Sequence, residues 1–119
     1  MARRSVATNK GRTAPAADVR VVLATAPRKD AARLARGLVE GRHAACVNLV
    51  PGVSSVYRWK GAVETAPETL LVVKTTARRL SRCLAALAGA HPYEVPEGIA
   101  LAPVRALAGY AAWVRAEVR

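Results

Sequence analysis

Two side chains of this 119-residue chain are the strongest candidates for chemistry, the imidazole of His91 and the thiol of Cys46. His91 precedes Pro92, which biases its backbone towards an extended loop conformation, where metal ligands and general bases are often found. The alternative for His91 is a structural hydrogen bond across a subunit boundary. Cys46 is a soft metal donor, but the alanines and valines beside it are equally typical of a small buried residue.

The other cysteine and histidine have structural interpretations. Cys83 lies in a helical stripe that is otherwise leucine, so we predict that it belongs to the core. His43 follows the first predicted helix, where a positive charge suits the helix dipole, and we predict a surface residue. Two isolated cysteines fit neither a disulfide framework nor a zinc site, which favours a reducing cytoplasm.

No sequence motif supports an enzyme. The chain has no serine nucleophile elbow, phosphate-binding glycine loop, HExxH helix or revealing pair of carboxylates. We therefore expect a protein without catalytic activity. It also has no apolar run near the roughly 20 residues of a membrane span, and we expect a soluble protein that does not bind membranes.

Composition fits one globular domain with a strong positive charge. Hydrophobic residues make up 52% of the chain and charged residues 23%, with a formal net charge of +11. The positive charge raises nucleic acid as a partner. Because it is spread along the chain rather than gathered in one stripe, we do not favour that partner. Residues 1–17 lack an apolar period and are predicted to be a flexible basic tail, and residues 18–119 the domain.

Hydrophobic spacing predicts seven elements in the order strand, helix, strand, strand, helix, strand, helix. Their predicted ranges are 19–25, 29–40, 43–60, 62–75, 76–89, 99–102 and 103 onward. Thr76 is the predicted cap of the second helix, and Pro103 is predicted to open the last one. This order is that of an α+β, ferredoxin-like βαββαβ sandwich with an added C-terminal helix.

Three apolar helical faces are predicted. They are Ala31, Leu34, Ala35 and Leu38 in the first helix, Leu80, Cys83, Leu84 and Leu87 in the second, and Leu107, Ala111, Val114 and Val118 in the last.

The third and fourth elements form an unusually long hairpin. Lys60-Gly61 predicts a tight reversal, and Pro51-Gly52 a bulge in the first arm. Each arm would reach roughly 45 Å at about 3.3 Å per residue, so the hairpin would protrude from a domain of this size. Because a protruding ribbon exposes apolar side chains and strand edges, we predict a homo-oligomer in which Tyr57 and Trp59 are interface anchors.

Several segments in order resemble the CutA divalent-cation tolerance family. They are VVLATAP at 21–27, AACVNLVPGVSSVYRWKG at 44–61, LLVVKTT at 70–76, HPYEVPE at 91–97 and GYAAWV at 109–114. The resemblance implies a ferredoxin-like homotrimer, similar in architecture to the PII signalling proteins, that is associated with copper and other divalent cations. The family's proposed copper ligands correspond here to Ala24, Ala90 and His91, so one donor of three is present.

Two functional hypotheses follow from the resemblance. In the first, a cytoplasmic trimer binds copper or another divalent cation weakly at His91, with Cys46 and Glu94 as helpers. In the second, a PII-like trimer senses a small anion or docks a partner, with no metal role. Its cleft between subunits would be formed by polar groups of the resembling segments beside an indole, namely Trp59, Glu64, Lys74 and Tyr93. The alternative for Lys74 is an ion pair with Glu64 or Glu94 between subunits.

Overall fold

A computed structural model describes residues 10–119 of the chain. The elements are β1 (Thr13–Pro15), β2 (Val19–Ala26), α1 (Arg28–Glu40), β3 (Cys46–Trp59), β4 (Ala62–Thr76), α2 (Leu80–Ala90), β5 (Ile99–Leu101), β6 (Arg105–Leu107) and α3 (Ala108–Glu117). Within this described part, no helix combines the length and the hydropathy needed to cross a bilayer.

The main sheet has the strand order β3-β4-β2-β5, and all its neighbouring strands are antiparallel. With α1 and α2 as the two crossovers, this arrangement confirms the predicted α+β, ferredoxin-like fold. The core lies between the sheet and these helices, where Val22, Ala24, Leu71 and Val73 are fully buried. The predicted buried face of α1 is confirmed at all four positions. In α2, Cys83 and Leu87 are buried and the two other predicted residues pack beside them.

The opposite face of the sheet is much less covered. Because side chains alternate along a strand, the residues between the core positions point away from α1 and α2. Four of them are only partly buried, namely Val21, Leu23, Leu70 and Val72. Three more at the sheet edges are 44–56% exposed, namely Val50, Ile99 and Leu101. We call these seven residues the open face.

The hairpin of β3 and β4 has the predicted length and turn. Lys60 and Gly61 both have positive φ, at 49° and 84°, as a two-residue hairpin turn requires. The register shifts between Val50 and Val53, which confirms the bulge at Pro51-Gly52. The described molecule extends 54 × 25 × 24 Å, and its radius of gyration of 15.6 Å exceeds the roughly 13–14 Å of a compact domain this long.

A second, two-stranded sheet corrects two predictions. Thr13–Pro15 lies in the predicted tail but pairs with Arg105–Leu107, and Arg105 also donates to the Thr13 hydroxyl at 3.0 and 3.2 Å. Because residues 105–107 are extended for this pairing, α3 begins at Ala108 and not at Pro103. Leu107 is therefore 50% exposed, whereas Ala111, Val114 and Val118 are buried as predicted. Residues 1–9 of the predicted tail lie outside the described residues.

Candidate functional site

His91 follows the last residue of α2 and is 8% exposed. Its Nε2 lies 2.8 Å from the carbonyl oxygen of Thr25, and its Nδ1 accepts the backbone N–H of Tyr93 at 3.1 Å. Because a carbonyl only accepts and an N–H only donates, the ring proton is on Nε2, and Nδ1 carries no proton. Both ring nitrogens are thus engaged in fixing the loop after α2 against β2.

These two hydrogen bonds determine whether His91 can act as a metal ligand. A ligating nitrogen must offer a free lone pair, and the one on Nδ1 is already directed at the Tyr93 amide. The two other positions implied by the resemblance are the fully buried Ala24 and the helix-terminal Ala90. Among residues 10–119, no group of three or more His, Cys, Asp or Glu side chains is arranged to hold a metal ion. The described residues of a single chain therefore do not fit a stable copper site.

Tyr93 connects the His91 loop to the hairpin. Its hydroxyl donates to Oε2 of Glu68 at 2.7 Å, and its ring lies 4.7 Å from the imidazole of His91 at a tilt of 52°. Glu68 is only 6% exposed although it is a carboxylate. Burial, together with the Glu68 hydrogen bond and charge, raises the pKa of Tyr93 to about 12, so the phenol remains a donor.

Further carboxylates give this region a negative character. Burial and the charge of Glu68 raise the pKa of Glu97. Asp30, in the first turn of α1, also acts on Tyr93 electrostatically. One oxygen of Asp30 accepts from Arg33 at 3.0 Å, and the other is buried without a hydrogen-bond partner among the described residues. We call Asp30, Glu68, His91, Tyr93 and Glu97 the His91 site, which suits a cation better than an anion.

Neither predicted helper of His91 is hydrogen-bonded to it within residues 10–119. Cys46 pairs with Lys74, and its Sγ is 4.0 Å from the Lys74 Nζ and 3.8 Å from Oδ1 of Asn48. Lys74 also donates to that Asn48 oxygen. Thr25, which holds His91, pairs with Leu70, four residues from Lys74 along β4 and therefore roughly 13 Å away. Glu94 is exposed in the loop, with no hydrogen bond or ion pair to another residue in the range 10–119.

The four residues predicted to line a cleft do not converge within one chain. Glu64 faces Tyr57 near the hairpin tip, and Trp59 pairs with Ala62 beside the turn. Ala62 is twelve residues from Lys74 along β4, or roughly 40 Å. Tyr93 contacts Glu68, which lies between these ends. A cleft containing all four would need neighbouring subunits, so it stays a prediction.

Two residues that matter in the structure were missed or misjudged from sequence. The sequence does not single out Glu68, and the only signal is a carboxylate two residues before the apolar LLVV run. His43 was predicted to be a charged surface residue, but it is partly buried and its Nδ1 accepts from Nε of Arg79 at 3.2 Å. Burial and the charges of Arg79 and Arg82 lower its pKa. Cys83 is buried as predicted, and burial raises its pKa to about 11.

Relatives of known sequence extend over most of the chain. The family model described as CutA1 divalent ion tolerance protein matches residues 20–117. The divalent-cation tolerance protein CutA of Thermus thermophilus is 46% identical over 96 residues, which cover 80% of this chain and 93% of that protein. Human protein CutA is 40% identical over 98 residues, covering 82% of this chain and 55% of the longer human protein.

Solved structures give the same result. CutA from Synechococcus elongatus is 34% identical and superposes with a TM-score of 0.88, covering 94% of this chain and all of that one. CutA from Xylella fastidiosa is 38% identical with a TM-score of 0.83, and the match covers 86% of this chain and 99% of the Xylella chain. This chain therefore belongs to the CutA1 divalent ion tolerance family, and that membership supports a role in divalent-cation tolerance.

Proposed function

We propose that this protein acts in divalent-cation tolerance as a cytoplasmic homotrimer that binds divalent cations, copper included, only weakly, and that it catalyses no reaction. The open face is the observation that supports the proposed trimer. An isolated domain would leave the seven apolar side chains of this face partly or largely in contact with water. Burying such a face recovers about 25 cal/mol for each Å² of apolar surface removed from water.

The hairpin supports the same assembly. Val56 and Val63 are 68% and 64% exposed, and Tyr57 and Trp59 are 42% and 36% exposed. Val56 and Val63 lie on one side of the ribbon, because Val56 pairs with Thr65 and Arg58 with Val63. Tyr57 and Trp59 lie on the other side, so both sides of the ribbon carry apolar groups. A neighbouring copy would cover them, and a closed ring of copies would leave no open face exposed.

Weak cation binding follows from the chemistry of the His91 site. His91 is the best single donor, but a cation must first displace the Tyr93 amide from Nδ1. A lone imidazole lacks the several convergent donors that give copper sites their affinity. Glu68 and Glu97 supply negative charge nearby, which favours a cation without adding a defined ligand geometry.

Isothermal titration with copper(II) and with zinc tests this part of the proposal. Cys46→Ser is the background, because copper(II) oxidises thiols. We expect weak binding that is lost in His91→Ala, with Glu94→Gln as a matched loop control that leaves the curve unchanged. Tight binding that survives His91→Ala would contradict the proposal.

A second candidate function is a PII-like module that binds a small ligand between subunits. CutA from Synechococcus elongatus, 35% identical with a TM-score of 0.80, has been solved complexed with a Bis-Tris molecule. Bis-Tris is an amine, and the acidic groups around Tyr93 favour such a cationic ligand over the anion predicted from sequence. A thermal-shift screen of amines and anions tests this candidate, because a ligand at about a hundred times its Kd adds roughly 2.7 kcal/mol. No shift with any amine would count against it.

A further inference from the structure

A cavity of about 380 Å³ lies at the start of α2, where the chain leaves β4. It is lined by Thr76, Arg78, Arg79, Arg82, Val118 and Arg119. His91 follows the other end of this 11-residue helix, roughly 16 Å away at 1.5 Å per residue. The cavity is thus separate from the His91 site, and it lies at the opposite end of β4 from the hairpin turn.

Four guanidinium groups border this cavity, and none of them forms an ion pair with a carboxylate side chain within residues 10–119. Within residues 10–119, no hydrogen bond or ion pair holds the side chains of Arg78, Arg82 and Arg119. Arg79 is fixed, since it donates to His43 and to the carbonyl oxygen of Gly41. No carboxylate side chain of the described residues lines the cavity.

Two acidic residues adjoin the segments that line the cavity, and both already form ion pairs. Asp18, whose carbonyl accepts the Ala77 amide, forms an ion pair with Arg115 at 3.0 Å. Glu117, two residues before Arg119, forms one with Arg42 at 2.9 Å. The first turn of α2 contains no acidic residue either. Gathering like charges is unfavourable unless a counter-charge accompanies them, so the cavity is suited to an anion.

The lining also indicates the class of anion. A guanidinium presents a planar fork that matches two phosphate oxygens, and several forks around one space favour linked phosphates over a single oxyanion. The volume lies at the low end of the roughly 300–1,000 Å³ of small-molecule sites. Among the described residues, no aromatic ring lines the cavity, so a nucleobase has no stacking partner there.

We propose that the arginine cavity at the start of α2 binds the oligophosphate group of a small molecule, recognising the phosphates and not a base. Arg78 and Arg82 are the principal contacts, because their guanidinium groups have no other partner in the described chain. Arg79 is held in place by His43. The lowered pKa of His43 agrees with this arrangement, since burial, and after it the charges of Arg79 and Arg82, disfavour the protonated imidazole.

Calorimetric titration of the full chain with sodium triphosphate tests the proposal, in metal-free buffer at about 50 mM salt so that screening is limited. We expect binding by the wild type, and about tenfold weaker binding in Arg78→Ala and in Arg82→Ala, the loss of one charge-assisted hydrogen bond in each. The double variant should bind about a hundredfold more weakly. Circular dichroism of each variant checks that it is folded.

Arg28→Ala is the matched control. Arg28 is an exposed arginine in the first turn of α1, and its loss changes the net charge by the same amount. It should leave triphosphate binding unchanged. Equal weakening in Arg28→Ala would overturn the proposal in favour of nonspecific charge attraction, and no binding by the wild type would overturn it outright.

Competing anions identify the ligand class. ATP should bind within about threefold of triphosphate, and orthophosphate at least about tenfold more weakly, because it engages fewer guanidinium groups. Equal binding of orthophosphate would contradict the oligophosphate assignment. If a single-stranded oligonucleotide that lacks terminal phosphates binds more tightly than triphosphate, the ligand of the cavity is nucleic acid and the oligophosphate assignment is wrong.

Discussion

The hydrogen bond from Tyr93 to Glu68 fixes the loop after α2 to the middle of β4, and removing it should cost measurable stability. Tyr93→Phe keeps the ring and deletes only the hydroxyl, which leaves a carboxylate that is 6% exposed without this donor. A hydrogen bond to a charged group is worth about 1.5–3 kcal/mol. Because Tyr93 is 38% exposed, water can replace part of the bond, and we expect a loss of about 1–2 kcal/mol.

A double-mutant cycle with Glu68→Gln isolates the charge. Against a neutral amide, the same Tyr93→Phe change should cost about half as much, since neutral hydrogen bonds contribute about 1 kcal/mol or less. Guanidinium unfolding at one fixed protein concentration gives the four free energies of unfolding. An equal cost of Tyr93→Phe in both backgrounds would refute the reasoning.

Three further predictions concern the core and the acidic groups. Leu71→Ala removes a fully buried side chain from the sheet and should lower the free energy of unfolding by about 2–5 kcal/mol in the same assay. Folding raises the pKa of Tyr93 from 10 to about 12. The contribution of Tyr93 to the free energy of unfolding is therefore complete below pH 10 and should be lost between pH 10 and about 12 in the wild type. Tyr93→Phe should show no such loss. The pKa of Glu97 is raised, so folding disfavours its ionised form. Glu97→Gln should therefore raise the unfolding midpoint at neutral pH. A lower midpoint would contradict this explanation.

The elements that form the site's scaffold could be predicted because local patterns decide them. Helical spacing identified all four buried residues of α1, since an amphipathic stripe buries the same side of a helix wherever it docks. The Lys60-Gly61 turn followed from the positive φ that a two-residue hairpin needs. The strand order then followed from the sequence of elements, because few topologies are compatible with it.

Features that depend on distant residues could not be predicted in the same way. β1 and β6 are three residues each and become strands only by pairing across some ninety positions, so neither carries a pattern of its own. The same holds for Glu68 in β4, which receives a hydrogen bond from Tyr93, 25 residues further along the chain. Arg79 and His43 form a further example, since a histidine after a helix looks solvent-exposed until the start of α2 packs beside it.

The resemblance identified the family, but the residues of this chain changed the interpretation of its site. His91 is the one retained donor of three, and here its nitrogens hold Thr25 and the Tyr93 amide. Cys46 lies beside Lys74, which is roughly 13 Å along β4 from Leu70, the partner of Thr25. What a single chain provides is therefore an acidic, aromatic site rather than a set of convergent metal ligands. Neighbouring subunits, packed on the open face and the hairpin, would complete this site.

Sedimentation at micromolar concentration is the most direct test that copies of the chain cover the open face and the hairpin. We predict a species of about 38 kDa, three times 12.6 kDa, that shifts towards the monomer in Val56→Lys. Val39→Lys, which changes a 40% exposed valine of α1, should stay trimeric. A folded wild-type species of 12.6 kDa at that concentration would contradict the proposed assembly and the cleft between its subunits.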